Sequence, residues 1–199
     1  QENENYFPKL EVFANKIFSE IQNNNRTSYL PLCEYLLNKH KIEVKNVIPD
    51  EKKPFTKKFD PIKKTFFLSD YLTLSTKKLH TAAQIVHLEA NDILDEYLDT
   101  FKFPSEEARK LSKVALLNYG AAAILMPYKL FYKECIDQRY DFELLQNTFA
   151  TSFEQVAHRA TCLQDQNMKG VPFHMLRVDI AGNISKRFSL SGIEIPRYG

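Results

Sequence analysis

Two histidines, His80 and His87, stand seven residues apart in a stretch of helical periodicity, which puts them on one face about 10.5 Å apart along the axis. Side chains that far apart do not share one zinc ion directly. His80 therefore reads as a surface or capping residue, and His87 as a hydrogen-bonded pocket or core residue. Cys162 follows His158 by one helical turn, but a nucleophilic dyad also needs an orienting third group and an oxyanion site. Nothing in the sequence supplies them, and Cys162 reads as a buried structural thiol. No GxGxxG or GxxxxGK[ST] occurs, and five glycines leave no loop to cradle phosphates. The charges of greatest interest lie near the end. Arg177 and Asp179 share one face of a strand, while Lys186 and Arg187 on the next strand point to opposite faces. Such cations suit the phosphates or carboxylates of a nucleotide-bearing ligand. Pairing of Arg177 with Asp179 or Glu194 at a domain seam is the alternative, and both readings stand.

The elements that must position these groups alternate between helical and strand patterns. Leu10, Phe13, Ile17 and Ile21 give a leading helix over 6–22, whose apolar face can pack on the domain or pair with a second subunit. Ser28 caps a second helix running to Lys39-His40. A short strand with Ile42, Val44 and Val47 follows, then a loop at 49–54 and two strands, 57–59 and 65–68, joined at Asp60-Pro61. A long helix is predicted from Ser75 or Thr76 to about Thr100. Another, capped at Ser105, runs to Met126, where Pro127 stops it. Gly120 and Ala121 to Ala123 keep that helix slim, so that a neighbour can approach closely. Helices over 128–138, 142–149 and 152–163 complete the helical part. The last two form a packing unit, because their only basic groups on the second helix, His158 and Arg159, are too few to read a DNA groove. Val171 to Val178 then faces Ile184 to Leu190 across an Asp179 to Asn183 turn, where Gly182 and Asn183 supply positive φ.

Composition sets the outer limits. The 199 residues are 44% hydrophobic, enough for a core, and the formal net charge is +2, which is not the footprint of an autonomous nucleic-acid binder. The densest basic run, Lys52 to Lys64, could hold a phosphate but reads first as a solvated hairpin edge protected by lysines. Cys33, Cys135 and Cys162 form no CxxC and no paired framework, which predicts a reduced, cytoplasmic protein. The longest apolar run falls far short of the ~20 residues of a membrane span, and no membrane partner is expected. Gln1 at the start and Arg197-Tyr198-Gly199 just after a strand-like run read as the ends of an excised fragment.

Several long words carry a resemblance: KFDPxxxxxFLSDxL near 58–72, NYxAAAxLMPYxxF at 118–131, RYDxELLQxxFxxSFEQVxHRxTxLQ at 139–164, and GVPFxxxRVDxAGNxSKRFS in the hairpin. Together they resemble the short-chain fatty acyl transcriptional regulators, ScfR proteins of the Xre class, whose sensor regions resemble the IrrE/ImmA metallopeptidase fold. The resemblance implies an α+β chain. A mainly helical IrrE/ImmA-like pseudo-zincin core with a small β-sheet is followed by a C-terminal β-hairpin. It divides as leading helix and linker 1–27, pseudo-metallopeptidase domain 28–164, and hairpin 165–199 opening a further sensory unit.

In family peptidases the central helix carries HExxH, two zinc ligands and a glutamate base; the matching residues here are Ala83-Gln84-Ile85-Val86-His87. Ala83 cannot ligate, Gln84 has no carboxylate to activate water, and Leu116 stands where an acidic third ligand belongs. The resemblance thus implies no enzyme and no metal. It implies coenzyme A or a short-chain acyl-CoA as effector, with Gln84, His87 and Tyr119 lining the cavity of the lost zinc site and Arg177, Lys186 and Arg187 as anion contacts. It further implies a homodimer, DNA contact only through an N-terminal helix-turn-helix head outside this chain, and an iron–sulfur cluster, if any, in a Cys-rich tail beyond it. The rival reading is a non-catalytic dimerisation or protein-interaction scaffold without a small-molecule ligand.

Overall fold

The central helix pair owes its closeness to one missing side chain. A computed structural model describes residues 5–22 and 27–188, with side chains through Ser185. In it α3 (Leu74–Glu89) lies against α5 (Glu106–Leu125). A Cβ on Gly120 would stand 3.0 Å from Cγ1 of Val86, so only glycine allows this approach without displacement. Ser105 accepts the Ala108 N–H at the start of α5, and Glu106 and Glu107 lie in its first turn, where the helix dipole favours negative charge. Pro127 ends the run and caps α6 (Tyr128–Asp137). Among the described residues no single helix is long and apolar enough to cross a membrane.

Around this pair, α1 (Pro8–Ile21) buries Leu10, Ala14, Ile17 and Ile21 and packs against α5. The leading helix therefore spends its apolar stripe on its own chain. α2 (Tyr29–His40) buries Leu32 and Leu36 beside α3 and ends at Lys41 in the left-handed region. β1 (Glu43–Val47), β2 (Lys57–Asp60) and β3 (Thr65–Ser69) form a mixed sheet of order β1-β3-β2. β3 runs parallel to β1 and antiparallel to β2, and its Phe66 and Leu68 point into the core. The Asp60 carboxylate shapes the β2–β3 turn by accepting the N–H groups of Ile62 and Lys63.

The long helix predicted to reach Thr100 is two helices. The chain leaves helical geometry at Ala90 (φ −119°, ψ 16°), and α4 (Asn91–Asp99) starts afresh. Asn91 and Asp92 are helix-starting residues by chemistry, and the Asn91 amide donates to Asp95. At its other end α3 begins on Thr73, whose hydroxyl accepts the Thr76 N–H.

α7 (Phe142–Phe149) and α8 (Phe153–Ala160) pack together across Ala150, which closes α7 at φ 49°. Lys78, only 1% exposed, reaches from α3 to donate to the Phe149 and Ala150 carbonyls at 3.1 and 3.0 Å. It thereby supplies donors to carbonyls at the C-terminal end of α7 that lack a helical partner. Ser152 and Gln155 close a capping box at the start of α8.

The hairpin is shorter than the sequence suggests. Its paired strands are β4 (Met175–Val178) and β5 (Ile184–Phe188), with a bulge between Arg177 and Val178. The preceding residues are drawn to the helices instead: Phe173 packs on the rings of Tyr140 and Phe142, and the Val171 N–H donates to the Tyr140 hydroxyl. Leu190 and Glu194 lie outside the described residues. The expected architecture, a mainly helical α+β core with a small sheet and a following hairpin, is the one observed.

Candidate ligand cavity and its polar frame

A cavity of about 830 Å³ opens between α3, α4, α5, α8 and β4. The helix break at Ala90 turns Tyr97 and Leu98 of α4 toward it, and Leu79, Leu116, Phe101 and Phe103 add apolar wall. Lys102, His158 and Arg177 supply nitrogen-bearing side chains around it. Its volume lies within the roughly 300–1,000 Å³ of small-molecule sites, and a mainly apolar wall with a few polar groups is their usual chemistry.

Of the residues singled out in the sequence, Tyr119 and Arg177 line this cavity, whereas Gln84 and His87 do not. Arg177 pairs with Glu154 of α8 at 3.3 Å. Asp179 is engaged elsewhere, accepting the N–H groups of Ala181 and Asn183 within the turn, which holds its carboxyl below the usual range, the Asn183 side-chain amide contributing most. The backbones of Lys186 and Arg187 pair with Arg177 and Leu176; their side chains lie outside the described residues.

The two histidines exchange the environments expected of them. His87 is exposed, because it lies on the outer face of a last turn whose Val86 and Leu88 face the core. His80 is half-buried, its Nδ1 enclosed without a protein partner. Desolvation, and secondarily the charge of Lys57, lower its pKa to about 4. The folded state thus excludes a proton that the unfolded chain binds below pH 6.5. The resulting stability is complete above pH 6.5 and is lost as the pH falls toward 4. After allowance for solvent screening this is about 1 kcal/mol. His80→Gln is expected to remove that part of the acid loss, measured as the shift in urea midpoint between pH 7 and pH 5 relative to the parent.

The residues expected from the resemblance to stand at a lost zinc centre offer no set of metal donors. Ala83 has no donor, Leu116 is a buried hydrocarbon, and His87 faces solvent. The Gln84 amide, 8% exposed, keeps a buried Nε2 without a protein partner. Among the described residues no three His, Cys, Asp or Glu side chains are grouped to hold a metal ion. Cys162 is buried, and desolvation raises its thiol to about 11; it accepts from the Asn5 amide and donates to the His158 carbonyl, as suits a structural thiol.

The sequence reading missed the polar frame behind the cavity. Arg159, 0% exposed, donates to both carboxylate oxygens of Glu11 at 2.7 and 2.8 Å and to the Met126 carbonyl at 3.0 Å. Its guanidinium also lies over the rings of Tyr119 and Tyr128. Burial alone would lower the Arg159 pKa, but the Glu11 carboxylate more than offsets this and holds the group charged. Burial, then the charge of Glu11, raises the Tyr119 phenol well above its ordinary value. The phenol donates to Glu11 and accepts the Phe7 N–H at 3.2 Å. One signal could have revealed the pair: Glu11 sits on the stripe of Leu10, Ala14 and Phe18, and Arg159 on that of Val156 and Ala160. Each is a lone charge on an apolar face.

Comparison with known proteins gives two adjoining family matches. Residues 38–161 match the IrrE N-terminal-like domain, and residues 162–199 match the C-terminal region of the short-chain fatty acyl coenzyme A regulators. The HTH-type transcriptional regulator RamB of Mycobacterium tuberculosis (strain CDC 1551 / Oshkosh) is 33% identical over 196 residues, which are 98% of this chain and 41% of RamB. The propionyl-CoA carboxylase regulator of Cereibacter sphaeroides is 41% identical over 132 residues, 66% of this chain and 29% of that protein. A solved Mycobacterium tuberculosis transcriptional regulator superposes with a TM-score of 0.87 at 30% identity, covering 98% of this chain and 58% of that one. The chain thus spans about two fifths of the length of RamB.

Proposed function

Because the chain belongs to the ScfR family, an IrrE N-terminal-like domain followed by the short-chain fatty acyl coenzyme A regulator C-terminal region, we propose that it is the effector-binding part of a bacterial transcriptional regulator and takes an acyl-CoA without catalysis. The observation that carries this reading is the 830 Å³ cavity, mainly apolar in its wall and bordered by Lys102 and by Arg177, the latter paired with Glu154. The apolar wall suits a short acyl chain, and the cations suit the phosphates of the carrier. Gln84 in place of a glutamate base and Ala83 in place of a ligand support binding over hydrolysis. The relatives' names as regulators of the HTH type support assigning DNA contact to other parts of the whole protein. Occupancy would act by favouring one of two arrangements of a dimer.

Calorimetric titration of the 199-residue chain with free coenzyme A and with acetyl-, propionyl- and longer acyl-CoA tests the reading. The expected result is micromolar binding graded by chain length. Arg177→Ala should weaken it on the order of tenfold, as for loss of one charge-assisted hydrogen bond. Absence of heat from every thioester, in folded protein, would overturn the acyl-CoA assignment in favour of an interaction scaffold.

A further inference from the structure

The first turn of α1 is capped by the cavity rather than by its own sequence. Phe7, the N-cap, makes no side-chain cap, and Pro8 follows it. A helix start exposes N–H groups that need acceptors. Here the Phe7 N–H donates to the Tyr119 hydroxyl at 3.2 Å and the Lys9 N–H to the Tyr97 hydroxyl at 3.1 Å. Both tyrosines line the cavity, as do Asn5 and Phe7 themselves. The Phe7 ring is wedged between them, its centroid 5.2 Å from that of Tyr97 and 4.8 Å from that of Tyr119, edge-on to both. Lys9 is also paired with Glu96 of α4, and Asn5 is tied to Thr161 and Cys162 behind α8. This segment precedes both family-matched regions, the first of which begins at residue 38.

We propose that residues 5–9, ahead of the buried Leu10 and Glu11 that anchor α1, form a movable wall of the cavity, so that occupancy of the cavity and seating of this entry to α1 are linked. The proposal rests on the ligand-cavity reading and adds its means of regulation. The cavity exists with Phe7 seated, so a ligand that touches Phe7, Tyr97 and Tyr119 binds the seated state better than the unseated one. By linkage it then holds the entry to α1 in place, and the seated entry strengthens ligand binding by the same factor.

Hydrogen–deuterium exchange over residues 5–14 of the 199-residue chain tests this in two arms. In the first, saturating propionyl-CoA is expected to slow exchange of the segment on the order of tenfold, and Phe7→Ala to weaken propionyl-CoA binding by a similar factor; Phe7→Leu serves if the alanine variant does not fold. In the second, Ala115→Phe fills the cavity from α5 one turn from Tyr119, with no ligand, and is expected to slow the same exchange. Calorimetric binding of propionyl-CoA with unchanged exchange, and unchanged affinity in the Phe7 variant, overturns the wall while leaving the acyl-CoA reading intact. No binding, but slower exchange in Ala115→Phe, overturns acyl-CoA as the effector while the wall stands. Unchanged exchange in Ala115→Phe without any thioester binding overturns both.

Discussion

Glu11→Ala is expected to lower stability by roughly 3–5 kcal/mol, the usual effect of leaving one member of a buried ion pair without its partner. Arg159 would keep its bond to the Met126 carbonyl but, itself fully buried, would lose both carboxylate contacts. Tyr119 would lose its acceptor at the same time. Urea unfolding of parent and variant at pH 7 measures the difference. The sharper test is the joint change Glu11→Leu with Arg159→Met, in which no charge remains to be desolvated. It should recover most of the loss and differ from the sum of the two single effects, because contacting residues do not combine independently. By contrast, the exposed Lys133 and Asp137 pair one turn apart on α6 should contribute less than about 1 kcal/mol. Equal losses from Glu11→Ala and Lys133→Ala would refute the special standing of the buried pair.

Gly120→Leu is expected to cost about 2–3 kcal/mol by overpacking the α3–α5 contact. A Cβ alone would meet the two methyl groups of Val86 at 3.0 and 3.1 Å, and the remaining leucine atoms have no room without moving a helix. Gly120→Ala is the informative control. Its methyl group presses on Val86, yet alanine gains about 1 kcal/mol of helix propensity over glycine, so the net change should stay small. Trimming the neighbour with Val86→Ala should then recover a large part of the Gly120→Leu loss, with a coupling of about 1 kcal/mol or more. Chemical denaturation of the four variants measures the cycle. Failure of Val86→Ala to relieve Gly120→Leu would place the strain elsewhere. Because α5 also lines the cavity, any acyl-CoA affinity should fall together with the stability of Gly120→Leu.

The helices were legible because their apolar residues recur with the turn, and because Ser105, Pro127 and Ser152 mark their ends. Close packing at Gly120 was likewise readable from the small residues around it. The break at Ala90 was not, since the apolar spacing continues through Ile93, Leu94 and Tyr97 with little disturbance. Only the helix-starting chemistry of Asn91 and Asp92 hinted at it. For the site, Tyr119 and Arg177 were named from sequence and line the cavity. His87 was misplaced because it lies between the buried Val86 and Ala90 on a mostly apolar stretch of helix, and spacing alone did not show which side stays open to solvent. The Glu11–Arg159 bond and the capping of α7 by Lys78 join residues far apart in the chain. No local pattern encodes such a pairing; it follows from which buried charges the packed helices bring within reach of each other.

The broken helix has a consequence for the size of the void that the protein encloses. Unbroken from Leu74 to Asp99, it would be a rod of about 39 Å, whereas α5 spans only about 30 Å. Roughly two turns would overhang its neighbour, with Leu94 and Leu98 carried into water. Bending at Ala90 folds that overhang back along the first half of α5, where Lys113 and Arg109 bind Asp95 and Asp99. The hollow thus adjoins a helix too long for its partner, broken at Ala90 so that both parts lie against α5.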